Sequence, residues 1–99
     1  MSLSTHVLDA ATGRPAAGLL VRLVTDEGTV LAEHRTDTDG RIKDLPASAA
    51  GVYRLTFETG GISPFYPSVS IDFTIADPAE HHHVPLLLSP YSYSTYRGS

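Results

Sequence analysis

Three of the five histidines in this 99-residue sequence are consecutive, His81-His82-His83, immediately before a segment that reads VPLLLSPYSYSTYRGS. An imidazole of ordinary pKa, near ~6.5, gains and loses a proton around neutral pH, so each is a candidate general base or metal ligand. His82 to Leu88 alternates and ends in a short apolar run, Ser89-Pro90 interrupts it, and Tyr91 to Tyr96 alternates again, the pattern of a tight hairpin. Successive strand side chains point to opposite faces, which groups His81, His83, Pro85 and Leu87 on one face of the first strand and Ser92, Ser94 and Tyr96 on one face of the second. A surface of imidazole, proline ring, hydroxyls and phenol is neither plain core nor plain solvated face. It has the makings of a binding wall.

Two upstream residues could join it. His6 lies between Ser4 and Leu8 on the face opposite Val7, which by spacing alone describes an exposed strand histidine. Arg41 follows the turn Asp37-Thr38-Asp39-Gly40 and by itself is a solvated charge. His6, His81 and His83 together would equal the ligand count of a hydrolytic zinc site, and spacing does not separate such a site from a polar wall. Asp37 to Gly40 resembles the opening of a calcium loop, but no bidentate glutamate follows at the required offset, so it is a turn. His34 matches no motif and is expected at the surface. The final Tyr96-Arg97-Gly98-Ser99 would ordinarily be a fraying end.

The elements that must position these residues are short strands. Leu3 to Leu8 alternates, Asp9 to Pro15 is a turn-rich link, and Leu19 to Val24 with Val30 to Thr36 forms a hairpin around Asp26-Glu27-Gly28. Arg41-Ile42 begins a short edge segment, and Pro46 to Ala50 is a small-residue loop. Tyr53 to Phe57 and Val69 to Ile75 are half-buried strands. Seven or eight short strands with turns at this spacing predict an all-β sandwich, formed as one domain over residues 1–99. No segment has helical periodicity, and Gly60 to Pro67 has room for at most one helical turn.

Composition narrows the function classes. With 41% hydrophobic and 18% charged residues the chain is of ordinary globular type. Its net charge is -4 and its seven Lys and Arg are scattered singly, which leaves no footprint for nucleic acid. The absence of cysteine removes disulfides, thiolate catalysis and Cys-based zinc sites. No apolar run reaches membrane-spanning length and no signal peptide is visible, so the expected location is the cytoplasm.

The terminal LLLSPYSYST and YRGS closely resemble the C-terminus of the transthyretin-like family, in particular its enzyme branch, the 5-hydroxyisourate hydrolases. STHVLDAATGRPA (Ser4 to Ala16), TDTDGRI (Thr36 to Ile42), GVYRLTFETG (Gly51 to Gly60) and FYPSVSIDF (Phe65 to Phe73) extend the resemblance over nearly the whole chain, in the family's order. It implies a transthyretin-like (prealbumin-like) β-sandwich and hydrolysis of 5-hydroxyisourate, a product of urate oxidation, at a ring amide. It also implies catalytic roles for His6, Arg41 and His83. His83 corresponds to the second histidine of the family's HYHVPLL motif, whose tyrosine is His82 here. The carrier branch has lysine at the His6 position and an acidic residue at the Arg41 position. Tyr96 would close the cavity, Ser99 would stand near the site, and Leu8 and Pro85 would line it. No cofactor and no metal are expected, and the implied assembly is a homotetramer with sites at subunit interfaces. Gly60 to Pro67 is shorter than the family's usual helix and loop. A non-catalytic small-molecule carrier, an accessory β-sandwich and a zinc hydrolase are the competing expectations.

Overall fold

The alternating segments become nine strands in a computed structural model that describes residues 3–98. They are β1 (Leu3–Asp9), β2 (Arg14–Pro15), β3 (Leu20–Thr25), β4 (Val30–Arg35), β5 (Arg41–Leu45), β6 (Gly51–Phe57), β7 (Val69–Ile75), β8 (His82–Ser89) and β9 (Ser92–Thr95). One sheet runs β2-β1-β8-β9, with β5 also paired to β1, and the other runs β4-β3-β6-β7. Alternation explains which faces meet. Leu3 and Val7 of β1, Leu86 and Leu88 of β8, Val21 and Leu23 of β3, Leu55 and Phe57 of β6, and Val69 and Ile75 of β7 are buried in a shared core. Each such side chain contributes roughly 1.5–3 kcal/mol through burial.

The described residues contain one more strand than the upper expectation, because Arg14–Pro15 pairs with Leu8 and Asp9 as β2. Both β2 residues are exposed. Two exposed residues carry no alternation, so the pairing has no local signature. Gly60 to Pro67 forms a turn in place of a helix: the N–H groups of Ile62 and Ser63 both donate to the Thr59 carbonyl, at 3.0 and 2.9 Å. The buried Thr59 hydroxyl donates to Tyr66 O at 2.6 Å and ties the far side of the loop to its start.

The non-local pairing that matters most is parallel. β1 lies beside β8 in continuous register from Leu3↔His82 to Asp9↔Leu88, and β5 pairs antiparallel on the other edge of β1. Three strands distant in sequence therefore share one outer face.

Candidate active site

Ser4, His6 and Leu8 alternate outward from β1 because Leu3, Thr5 and Val7 point into the core. In the neighbouring strands Arg41 stands across from His6, Pro85 stands on the other side of His6, His83 stands beside Ser4, and Leu87 stands beside Leu8. Residues directly paired in a sheet project from the same face. His6, Arg41 and His83 consequently meet on one surface, with Pro85 and the half-buried Leu8 and Leu87 forming its apolar part.

The turn before β5 aims Arg41. Gly40 has φ +74°, and a Cβ there would lie 2.4 Å from the Val7 carbonyl oxygen, so glycine alone fits. The N–H of Val7 donates to Gly40 O at 2.8 Å, fastening the turn to β1. The Asp37 carboxylate accepts the N–H of Arg41 at 3.0 Å and of Asp39 at 2.9 Å. Those two bonds, Arg41's first, hold the Asp37 carboxyl below the usual carboxylate range. The same turn presents Asp39 O, which accepts a hydrogen bond of 2.9 Å from His6 Nε2. A carbonyl only accepts, so His6 carries its proton on Nε2 and, when neutral, its lone pair is on Nδ1.

His83 is held from both sides. Its Nδ1 lies 2.7 Å from Ser4 Oγ. On the other side Gly98 N–H donates to His83 O at 2.8 Å, and a Cβ on Gly98 would meet His83 Cδ2 at 2.5 Å. Glycine in the terminal tetrapeptide thus lets the chain lie against the imidazole. Burial, then the nearby Arg41 charge, then His6 and His81, push the His83 pKa below the ordinary 6.5, while a hydrogen bond to the Ser4 backbone pulls the other way. The neutral, basic form therefore persists to lower pH than that of an ordinary imidazole.

Pro85 shapes the gap beside this histidine. Its carbonyl accepts from Thr95 Oγ1 at 2.7 Å on the β9 side, where a proline has no N–H to continue a ladder. β9 pairing ends at Leu86↔Thr95, Tyr96 and Arg97 run free of the ladder, and the same register resumes at His83↔Gly98. A cleft of about 320 Å³ opens there, lined in part by Phe73, Val84, His83 and Tyr96. A second hollow, of about 380 Å³, lies against Ser4, Arg41 and His81. A third, of about 540 Å³ and the largest of these three, is rimmed by Arg14, Arg35 and Glu58 and includes none of the three candidate catalytic side chains.

Tyr96 is 60% exposed, at the rim. Ser99 lies outside the described residues. His82 turns to the core, buried, with Nδ1 donating to Glu80 O at 3.0 Å, and His34 is exposed on β4. Among the described residues no group of three His, Cys, Asp or Glu converges as a metal centre would require. The residue that sequence reasoning passed over is Ser4. Its alternation put it on the His6 face, but its contact with His83 depends on the β1–β8 pairing, which joins positions 79 apart.

The family model described as HIUase/Transthyretin family matches residues 3–98. The chain belongs to this family. A relative in Salmonella dublin, named 5-hydroxyisourate hydrolase, is 49% identical over 98% of this chain and 80% of its own length. Among solved structures in the family, Klebsiella pneumoniae 5-hydroxyisourate hydrolase has a TM-score of 0.89 at 42% identity, covering 99% of this chain and 98% of its own. Sea bream transthyretin in complex with thyroxine has a TM-score of 0.84 at 34% identity, covering 99% and 95%. Both structures share the family fold closely, so the fold alone does not distinguish a hydrolase from a carrier.

Proposed function

We propose that this protein is a hydrolase of 5-hydroxyisourate in urate degradation, opening the six-membered ring at an amide bond to give 2-oxo-4-hydroxy-4-carboxy-5-ureidoimidazoline. The observation that carries the reading is the shared outer face of β5, β1 and β8, where His6, Arg41 and His83 converge from positions far apart in the chain. Amide hydrolysis needs a base for water, donors for the charge that develops on the attacked oxygen, and a proton for the departing nitrogen. His83, kept neutral, takes a proton from water as the water oxygen bonds to the carbonyl carbon. The C–N bond then breaks and the imidazolium returns the proton to nitrogen. Arg41 offers a planar fork of N–H donors to the oxygen-rich ring and to the developing oxyanion. His6, fixed through Nε2, presents its other nitrogen to substrate or water.

The working assembly in this reading is a homotetramer with sites at subunit interfaces. Supporting it, the site is a sheet face rather than an enclosed cavity, and Tyr91 and Tyr96 are exposed at the tip of the β8–β9 hairpin and in its continuation. A two-fold partner facing this surface would exclude water from the chemistry.

The test generates 5-hydroxyisourate in situ from urate and urate oxidase and follows its ultraviolet decay with untagged protein, with chelator and with a His83→Ala variant. Acceleration that survives chelator and falls by about 100-fold or more in the variant is expected, the scale of a lost general base. Decay no faster than the spontaneous background, from folded wild-type protein, overturns the hydrolase reading in favour of a carrier.

A further inference from the structure

Ser4 is 8% exposed on β1, and its Oγ sits between two imidazoles, 2.7 Å from His83 Nδ1 and 2.9 Å from His81 Nε2. A hydroxyl has one hydrogen to donate and two lone pairs with which to accept. One bridging atom therefore couples the protonation of both rings. We propose that Ser4 is a positioning residue for His83, accepting the Nδ1–H of His83 and donating its own hydrogen to His81 Nε2, so that His83 Nε2 keeps its lone pair for the reacting water. The role rests on the hydrolase reading above.

Two other arrangements of the hydrogens are available, and each fails a requirement. If Ser4 donated to His83 Nδ1, a neutral His83 would carry its proton on Nε2 and could not act there as a base. If Ser4 accepted from both rings, its own hydrogen would be left without either ring as acceptor, a cost of about 1–3 kcal/mol for a buried polar group. Donation to His81 gives the Ser4 hydrogen an acceptor and leaves the His83 Nδ1–H with one as well. His83 is held at both edges, Gly98 closing on its Cδ2 edge and Ser4 on its Nδ1 edge. In any histidine the hydrogen bond at one ring nitrogen sets what the other can do.

The proton balance is simple. His83 Nε2 takes one proton from water, the Nδ1–H···Oγ bond strengthens as the ring becomes cationic, and the leaving nitrogen takes the proton from Nε2. Ser4 neither gains nor loses a proton over the cycle. Loss of its hydroxyl should therefore lower kcat and leave substrate binding nearly intact.

Two measurements on untagged, full-length protein test this. Long-range ¹H–¹⁵N spectra of histidine-labelled protein report which nitrogen of His83 is protonated, with or without turnover, and steady-state kinetics compare wild type with Ser4→Ala and Ser4→Thr. The expected result is a His83 proton on Nδ1 in wild type, lost in Ser4→Ala with kcat down about 10-fold or more, as for residues that orient a reacting group, and KM within about 3-fold. Ser4→Thr, which keeps the hydroxyl, restores both. A wild-type His83 protonated on Nε2, a Ser4→Ala enzyme with unchanged kcat, or a Ser4→Thr enzyme as slow as Ser4→Ala overturns the proposal. If Ser4→Ala does not fold, the wild-type spectrum and Ser4→Thr kinetics decide it. A wild-type protein with the Nδ1 proton in place and no turnover retains the bridge and removes the substrate assignment, so the two failures are distinguishable.

Discussion

His83 shows how much of a site's chemistry is set by what touches one ring. Its pKa lies below 6.5 first through burial and second through Arg41. For a base, a lowered pKa means that the neutral, active form survives to lower pH, so the acid limb of kcat/KM should fall below the ordinary imidazole value. Replacing Arg41 with Gln removes the second of those causes, and the limb should move up in pH while the maximal rate drops by about 10²-fold or more through lost oxyanion stabilisation. A pH–rate profile of both proteins checks this, and a limb that stays put would show that Arg41 does not act on His83. Stability follows the same linkage. Between 6.5 and the folded pKa, His83 is protonated in the unfolded chain and neutral in the fold, so its contribution becomes unfavourable as pH falls below 6.5 and is absent above it.

At the level of elements, β1 is the hub. It pairs with β2, β5 and β8, and its fastening to the Asp37–Gly40 turn depends on the positive φ of Gly40 and the hydrogen bond from Val7 N–H. Gly40→Ala should destabilise the fold by about 1–3 kcal/mol from backbone strain, with more from the clash against the Val7 carbonyl. Urea unfolding of the purified variant measures the loss, and a midpoint equal to wild type would mean that the turn shifts without cost. Arg41 would be displaced with the turn, so turnover should fall as well. Alternation made the strands legible because each buries one face: Leu55 and Phe57 in β6, and Val69, Ile71 and Ile75 in β7, mark their own elements. What alternation does not carry is pairing between distant strands. The outward direction of Ser4 and His83 was readable; their adjacency follows from a parallel register with no local turn to announce it. His6 and Arg41 were singled out by family motif, and by spacing alone they would have passed as surface residues.

For the molecule as a whole, the proposed tetramer would have the same outer face serve chemistry and association. Its residues divide into a polar part, His6, Arg41 and His83, and an apolar part, Leu8, Leu87 and the exposed Tyr96. Water over the polar part would weaken every charge interaction that Arg41 makes with substrate, because the same pair is worth several-fold less in bulk dielectric than at a covered surface. Covering the face also removes apolar surface from water at roughly 25 cal/mol per Å². In that proposed assembly association and catalysis share one surface, and loss of one should bring loss of the other. In a dilution series, specific activity should fall at the protein concentration where the sedimentation coefficient drops toward that of a 10.6 kDa chain. Coincident transitions are expected. Full turnover from a species that sediments as a monomer would show that a single sheet face suffices for the reaction, and that Arg41 and His83 work without a second subunit above them.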